Sequence, residues 1–310
     1  MNGKPVWERD GRDWPNRETS RFVEAGGLRW HVQISGSGPP ALLLHGTGAS
    51  THSWRGVLPL LTRHFTVIAP DLPGHGFTAT PPAARLSLDG MCWLIAQLIA
   101  SLGVRPSLGI GHSAGAAILA RGSLDGRITP RALVSINGAL LMLRGLPGSL
   151  FAPLARALAR TSMAARLFAW RAGDPATVAR LLRSTGSTID PAGTALYARL
   201  ARAPGHVAAA LGMMANWDLR ALERDLPRLA VPLLLITGDN DHTVPPAEAR
   251  EVLRLVHGAT EMILPGLGHL AHEERPDRTA MAIVRFAAMH GVIAGDGCQS
   301  DVTLHQCLTG

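Results

Sequence analysis

The chain has 310 residues, 46% hydrophobic and 17% charged. At roughly 150 residues per domain this is one large or two modest domains, able to build a core without disulfide or metal staples and far from the composition of a disordered chain. The formal charge is +7, and Lys4 is the only lysine. 

Residues 1–20 read as an extended polar arm carrying Trp7 and Trp14. Arg21 to Ser35 holds two β-type runs around Ala25-Gly26-Gly27 and predicts a hairpin. Short apolar runs bounded by Gly or Pro follow at Ala41–Leu44, Thr66–Ala69, Ser107–Ile110, Ala132–Ile136, Val231–Thr237 and Thr260–Leu264. They predict strands buried on both faces. Helical patterns cover 53–63, 87–103, 114–124, 246–257 and 277–290. The alternation implies an α/β fold, a mostly parallel central sheet with helices on both faces. It breaks over 139–224, a stretch rich in Ala, Leu and Arg that predicts a helical cap inserted into a core made of 21–138 and 225–290. Residues 291–310 lose periodicity and predict a mobile tail.

No apolar run reaches the ~18 residues of a membrane span. The charged N-terminus lacks the apolar stretch of a signal peptide. Cys92, Cys298 and Cys307 are odd in number and scattered, which fits a reducing compartment. A cytoplasmic protein is expected. The positive charge is concentrated: from Ala139 to Ala203 there are nine arginines against two aspartates, which equals the excess of the whole chain. A basic stripe without aromatic interleaving does not suggest nucleic acid. It fits an anionic substrate, an acidic partner or peripheral contact with a membrane surface.

Gly111-His112-Ser113-Ala114-Gly115 matches G-x-S-x-G, with a predicted strand before it and an Ala-rich helix after it. So tight a strand-to-helix turn needs small neighbours, and it presents the serine hydroxyl at a helix N-terminus. Such a hydroxyl needs a base. Two late strands are followed by Gly238-Asp239-Asn240-Asp241-His242-Thr243-Val244-Pro245 and by Pro265-Gly266-Leu267-Gly268-His269. Ser113, Asp241 and His269 thus stand in the nucleophile–acid–base order of the α/β-hydrolases. Asp239 is the rival acid, and the G-x-x-D-x-x-V-P pattern favours Asp241. An oxyanion site needs two backbone N–H donors. These are expected at Ala114, after the nucleophile, and at Thr47 in the loop His45-Gly46-Thr47-Gly48, with Gly48 as the alternative.

With these motifs, and with Asp71-Leu72-Pro73-Gly74-His75-Gly76 as a D-x-x-G-H-G loop, the chain resembles the α/β-hydrolase superfamily from about residue 21 to 290. Three segments resemble the magnesium-chelatase accessory hydrolases of bacteriochlorophyll biosynthesis: Asp13-Trp14-Pro15-Asn16-Arg17, Gly27-Leu28-Arg29-Trp30-His31-Val32-Gln33, and His45-Gly46-Thr47-Gly48-Ala49-Ser50-Thr51-His52-Ser53-Trp54. This resemblance implies a role near magnesium insertion into protoporphyrin in photosynthetic bacteria. It makes a tetrapyrrole or a pathway-linked ester the expected substrate class and the chelatase subunits expected partners.

His272 reads as a surface residue at a helix start, and His45 and His75 as hydrogen-bond partners that shape loops. The histidines and cysteines show no metal-ligand spacing, and there is no G-x-x-x-x-G-K phosphate loop, so no metal or cofactor is expected. In the cap, Leu150, Leu154, Leu158, Thr161, Ala165 and Phe168 trace one helical face, while Arg156 and Arg160 lie elsewhere. This is an ordinary packed helix with solvated arginines, or a basic, apolar roof suited to a flat molecule with carboxylates at its rim, such as a porphyrin. Trp170, Met213, Met214 and Trp217 would line the same cavity or pack the core. Three functions follow: a serine hydrolase acting on an ester or related acyl bond; a non-catalytic porphyrin-binding or chelatase-partner protein with a vestigial triad; and a non-hydrolytic lyase or cofactor-free haloperoxidase.

Overall fold

Ala41, Leu42, Leu43 and Leu44 are consecutive and apolar, and none has any solvent exposure. Only a strand covered on both faces can hide such a run. The computed structural model describes residues 3–142 and 174–294. It places these four in β3 (Pro40–Leu44), within an eight-stranded sheet of order β1-β2-β4-β3-β5-β6-β7-β8. The other strands are β1 (Ser20–Ala25), β2 (Leu28–Ser35), β4 (Thr66–Pro70), β5 (Leu108–His112), β6 (Ala132–Ile136), β7 (Leu233–Gly238) and β8 (Ala259–Leu264). β2 runs antiparallel to both β1 and β4, and the remaining pairs are parallel.

Alternation along the strands divides the core in two. Leu42, Leu44 and Ile68 face the helices Leu88–Ser101 and Ala114–Leu124. Ala41, Leu43 and Val67 face Trp54, Leu61 and the helix Pro276–Met289. Each large apolar side chain so buried contributes about 1.5–3 kcal/mol. β8 departs from the expected two-sided burial: Ile263 is 45% exposed, because an edge strand has a neighbour on one side only. The helix expected over 53–63 is also broken. A 3₁₀ turn (Thr51–Trp54) and a short helix (Leu58–Leu61) replace it. At Gly56, between them, a Cβ would stand 2.9 Å from the Pro276 ring.

Between β6 and β7 the described chain forms the helices Pro175–Ser184, Pro191–Ala201, Pro204–Ala215 and Arg220–Asp225. The apolar face from Leu150 to Phe168, Trp170 and Arg144, Arg156, Arg160, Arg166 and Arg171 lie outside the described residues. Among the described arginines of this stretch, Arg199 is committed to Asp13, with contacts of 2.6 and 2.8 Å. No described helix is long and apolar enough to cross a membrane.

The N-terminal segment is not an extended arm. It forms a short helix (Trp7–Asp10) and a 3₁₀ turn (Arg17–Thr19), because its tryptophans find apolar partners. Trp14 is 2% exposed and packs with Phe77 of the core and Leu196 and Leu200 of the insertion. Its indole N–H donates to Thr51 Oγ1 at 3.0 Å. Trp7 meets Phe22 and Phe77 edge-on, centroids 5.6 and 4.9 Å apart. Before Trp7, the Gly3 carbonyl accepts from the Gly205 N–H, and the Lys4 ammonium donates to the Gly74 carbonyl at 2.6 Å. The segment is a strap tying the insertion to the core. Of the tail, Val292 is buried against the core, and residues 295–310 lie outside the described set.

Two outcomes are expected. Trp14→Ala removes the indole between strap, core and insertion, and should destabilise the protein by about 3–5 kcal/mol in chemical denaturation. A change below about 1 kcal/mol would show that the strap is not part of the folded unit. The second concerns acid. Burial pushes His45, His52, His75 and His112 below the ordinary imidazole range, and takes His206 and His272 down to about 3. These rings stay neutral when folded, whereas the unfolded chain protonates them below about 6.5. Their contribution is present above that pH and lost progressively as pH falls below about 6.5, at up to about 1.4 kcal/mol per pH unit for each ring. The melting temperature should therefore drop steeply between pH 6.5 and 4, and a flat profile would contradict the neutral cluster.

Candidate active site

β5 ends at His112, and Ser113 turns the chain into the helix Ala114–Leu124 with φ 51 and ψ −119. A non-glycine residue held there costs about 1–3 kcal/mol and persists only where its surroundings dictate it. They do so here. The Ser113 N–H donates to the Ile136 carbonyl at the end of β6, and the Ser113 carbonyl accepts from the Ala116 and Ala139 N–H groups at 3.1 and 3.2 Å. The flanking glycines are required by contact. A Cβ on Gly111 would overlap the Ala116 backbone, and one on Gly115 would overlap the Leu44 carbonyl.

Asp241 lies in the loop after β7. Its Oδ1 accepts from the Thr243 and Val244 N–H groups at 2.7 and 2.9 Å. Its Oδ2 accepts from Asn137 Nδ2 at 2.6 Å and stands 2.8 Å from His269 Nδ1. With Nδ1 carrying a proton toward the carboxylate, the lone pair of His269 is on Nε2. Asp239 does not share this position: its Oδ1 accepts from the Gly266 N–H at 2.6 Å and shapes the turn before His269. The His269 carbonyl accepts from His112 Nε2 at 2.9 Å. His112 immediately precedes Ser113, so this bond seats the His269 loop beside the serine. Among the described residues no hydrogen bond joins Ser113 Oγ to His269.

The loop after β3 lies against the same turn. A Cβ on Gly46 would come within 3.0 Å of the Ser113 Cβ. His45 fixes the loop: its Nδ1–H donates to the Gly46 carbonyl and its Nε2 accepts from the Leu72 N–H, both at 2.8 Å. No described residue accepts from the backbone N–H of Thr47 or of Ala114. The Thr47 hydroxyl lies 3.6 Å from the sulfur of Met213, which is wholly buried, whereas Met214 is 64% exposed. Two turns earlier on the same helix, His206 accepts from the Gly76 N–H and donates to the Gly48 carbonyl, at 3.0 and 3.1 Å. It ties the Thr47 loop to the Asp71–Gly76 loop. Asp71 organises that second loop by accepting from the Thr51 and Phe77 N–H groups and from His31 Nδ1. Burial opposes its charge, yet His31 and these donors hold its carboxyl below the usual range.

Several of these residues escaped the sequence reading. Asn137 could have been sought in the Asn-Gly pair that ends β6, since Asn tolerates its left-handed φ of 44. Nothing in the sequence flags His206 as the bridge between two loops. His272 is not a surface residue. It is fully buried, with ring centroids 4.4 Å from His112 and 4.8 Å from Trp54. Among the described residues no three His, Cys, Asp or Glu side chains form a group that could hold a metal ion. The site therefore combines a serine on a strained turn, an imidazole–carboxylate pair beside it and two unengaged backbone donors.

Comparison with known proteins agrees with this architecture. The model of the alpha/beta hydrolase family matches residues 41–282. Over 267 residues the chain is 40% identical to the magnesium-chelatase 30 kDa subunit of Rhodobacter capsulatus, covering 86% of this chain and 93% of that protein. It is 28% identical over 280 residues to pyrrolizixenacetamide deacetylase of Xenorhabdus hominickii, covering 85% and 96%. A solved serine hydrolase involved in carbazole degradation aligns with a TM-score of 0.72 at 25% identity, covering 87% of this chain and 98% of that one. With the family model spanning most of the sequence, the chain belongs to the α/β-hydrolase family.

Proposed function

We propose that this protein is a serine hydrolase that cleaves an ester or related acyl bond. The observation that carries the reading is Ser113 at φ 51 on the strand–helix turn, next to a His269–Asp241 pair at 2.8 Å. In this reading His269 Nε2 takes the Ser113 hydroxyl proton as Oγ attacks the acyl carbon. Asp241 holds the imidazole tautomer and stabilises the imidazolium. The Thr47 and Ala114 N–H groups receive the oxyanion, each worth ~3 kcal/mol in such sites. The imidazolium returns the proton to the leaving alcohol or amine, leaving an acyl-serine. Water, deprotonated by His269, then releases the acid. Asn137 positions Asp241 through its amide.

The similarity to a magnesium-chelatase subunit supports an accessory role at the magnesium-insertion step of bacteriochlorophyll synthesis. The chelatase subunits would then be partners, and a tetrapyrrole or a linked ester the substrate. The same similarity favours one second reading: a porphyrin-binding or chelatase-partner protein whose triad is vestigial. The two part at Ser113.

A fluorophosphonate serine probe should label the wild type, and Ser113→Ala should not be labelled while keeping its melting temperature. Ester turnover should fall by roughly 10⁴-fold or more in that variant. A folded wild type that resists the probe would sink the hydrolase reading and move the weight to the partner protein. Asn137→Ala removes a charge-assisted bond of about 1.5–3 kcal/mol. It should slow labelling by roughly ten-fold or more, and a wild-type rate would exclude Asn137 from the site.

A further inference from the structure

The acid–base pair is held from an unexpected side. Residues 185–188, in the turn between the insertion helices Pro175–Ser184 and Pro191–Ala201, run between the Asp241 loop and the His269 loop. The Thr185 carbonyl accepts from two N–H groups, those of His242 at 3.2 Å and His269 at 3.3 Å. The Gly186 carbonyl accepts from Asn240 Nδ2 at 2.7 Å. The Ser187 hydroxyl oxygen accepts from the Leu270 N–H at 2.8 Å, and Ser187 is 1% exposed. Glu274 closes the seam: its two carboxylate oxygens accept from the Thr188 and Gly268 N–H groups at 2.9 and 2.8 Å. The backbones meet so closely that a Cβ on Gly186 would overlap the Asn240 carbonyl, and one on Gly268 would overlap Gly186.

Among the described residues no comparable bond from the core holds the His269 N–H or the Leu270 N–H. From the core, the His269 residue is held by His112 at its carbonyl and by Asp241 at its ring. Other core bonds hold the loop before the imidazole, at Gly266, Leu267 and Gly268, and leave the N–H groups of His269 and Leu270 themselves to the insertion.

We propose that Thr185 and Ser187 are positioning residues for His269, so that the seating of the insertion sets the reactivity of Ser113. This rests on the reading of His269 as the base and goes beyond it. A ligand or partner that lifts the insertion at this seam would unseat the imidazole and silence the serine, and one that presses it down would do the reverse. A misplacement of about 1 Å costs roughly 100-fold in rate, so a small displacement suffices.

The test uses the full chain as wild type, Ser187→Ala, Asn240→Ala and Ser184→Ala. Among the described residues the exposed Ser184 hydroxyl bonds only to the Leu181 carbonyl of its own helix, and it serves as the control. Two quantities are read: the rate of Ser113 labelling by fluorophosphonate across pH, and the downfield proton resonance of His269 Nδ1–H. Ser187→Ala is expected to label roughly 10- to 100-fold more slowly, with a displaced pH midpoint and a broadened ring-proton resonance. Asn240→Ala, at an exposed position that leaves the core untouched, should move both readouts in the same direction by less. Ser184→Ala should match the wild type. If Ser187→Ala and Asn240→Ala keep the wild-type rate, midpoint and resonance, the proposal is overturned. If the wild type is not labelled at all, the hydrolase reading fails by itself. The ring-proton resonance then decides the coupling alone, an unchanged resonance in Ser187→Ala refuting it.

Discussion

The backbone of Ser113 is pinned, because β6 receives its N–H and the end of β3 and the loop after it crowd Gly115 and Ser113. This constraint orders the rest of the site. It demands glycines at 111 and 115, since any side chain there would strike the helix or the Leu44 carbonyl. It demands β3 and β6 as immediate neighbours of β5, which the sheet order supplies. It also leaves the Ala114 N–H pointing out of the first helical turn without an internal acceptor, as helix N-termini do. Strain, close packing and an unengaged donor are three results of one local geometry.

Around that turn the protein uses neutral imidazoles as rigid two-point spacers. His45 joins Gly46 to Leu72, and His206 joins Gly48 to Gly76. A neutral ring offers one donor and one acceptor in fixed opposition, so each spans two loops that lack a ladder of their own. The cost is sensitivity to acid, because a proton on the accepting nitrogen would face an N–H group. The loops that frame the serine are thus rigid at neutral pH through the same groups that make them fragile below it.

Much of this was legible in the sequence, and the limits have physical causes. Inner strands announce themselves as continuous apolar runs because both faces are covered, and β3 to β7 were found within one or two residues. The Ser113, Asp241 and His269 positions were legible because each follows a strand end within a recognisable turn. What escaped were contacts between distant segments. His272 sits at a short helix start, which reads as surface, and only packing against Trp54 and His112 buries it. The strap looked extended because its few tryptophans lie among charges, and their partners Phe77, Leu196 and Leu200 come from elsewhere in the chain. Asn137 acts across 104 positions on Asp241, a separation that no local pattern encodes.

The insertion between β6 and β7 has a consequence for the order in which the protein is made. His112 and the carbonyl it holds at His269 are 157 positions apart. At roughly 5–20 residues per second a ribosome takes on the order of ten seconds or more to cover that distance. Through that interval β3, β5 and β6 can pair and form the Ser113 turn, while His269 is still unmade. β7 and β8 then dock in parallel at the open edge of a half-sheet and bring Asp241 and His269 with them. The imidazole–carboxylate pair reaches the serine turn only with the last strands of the sheet.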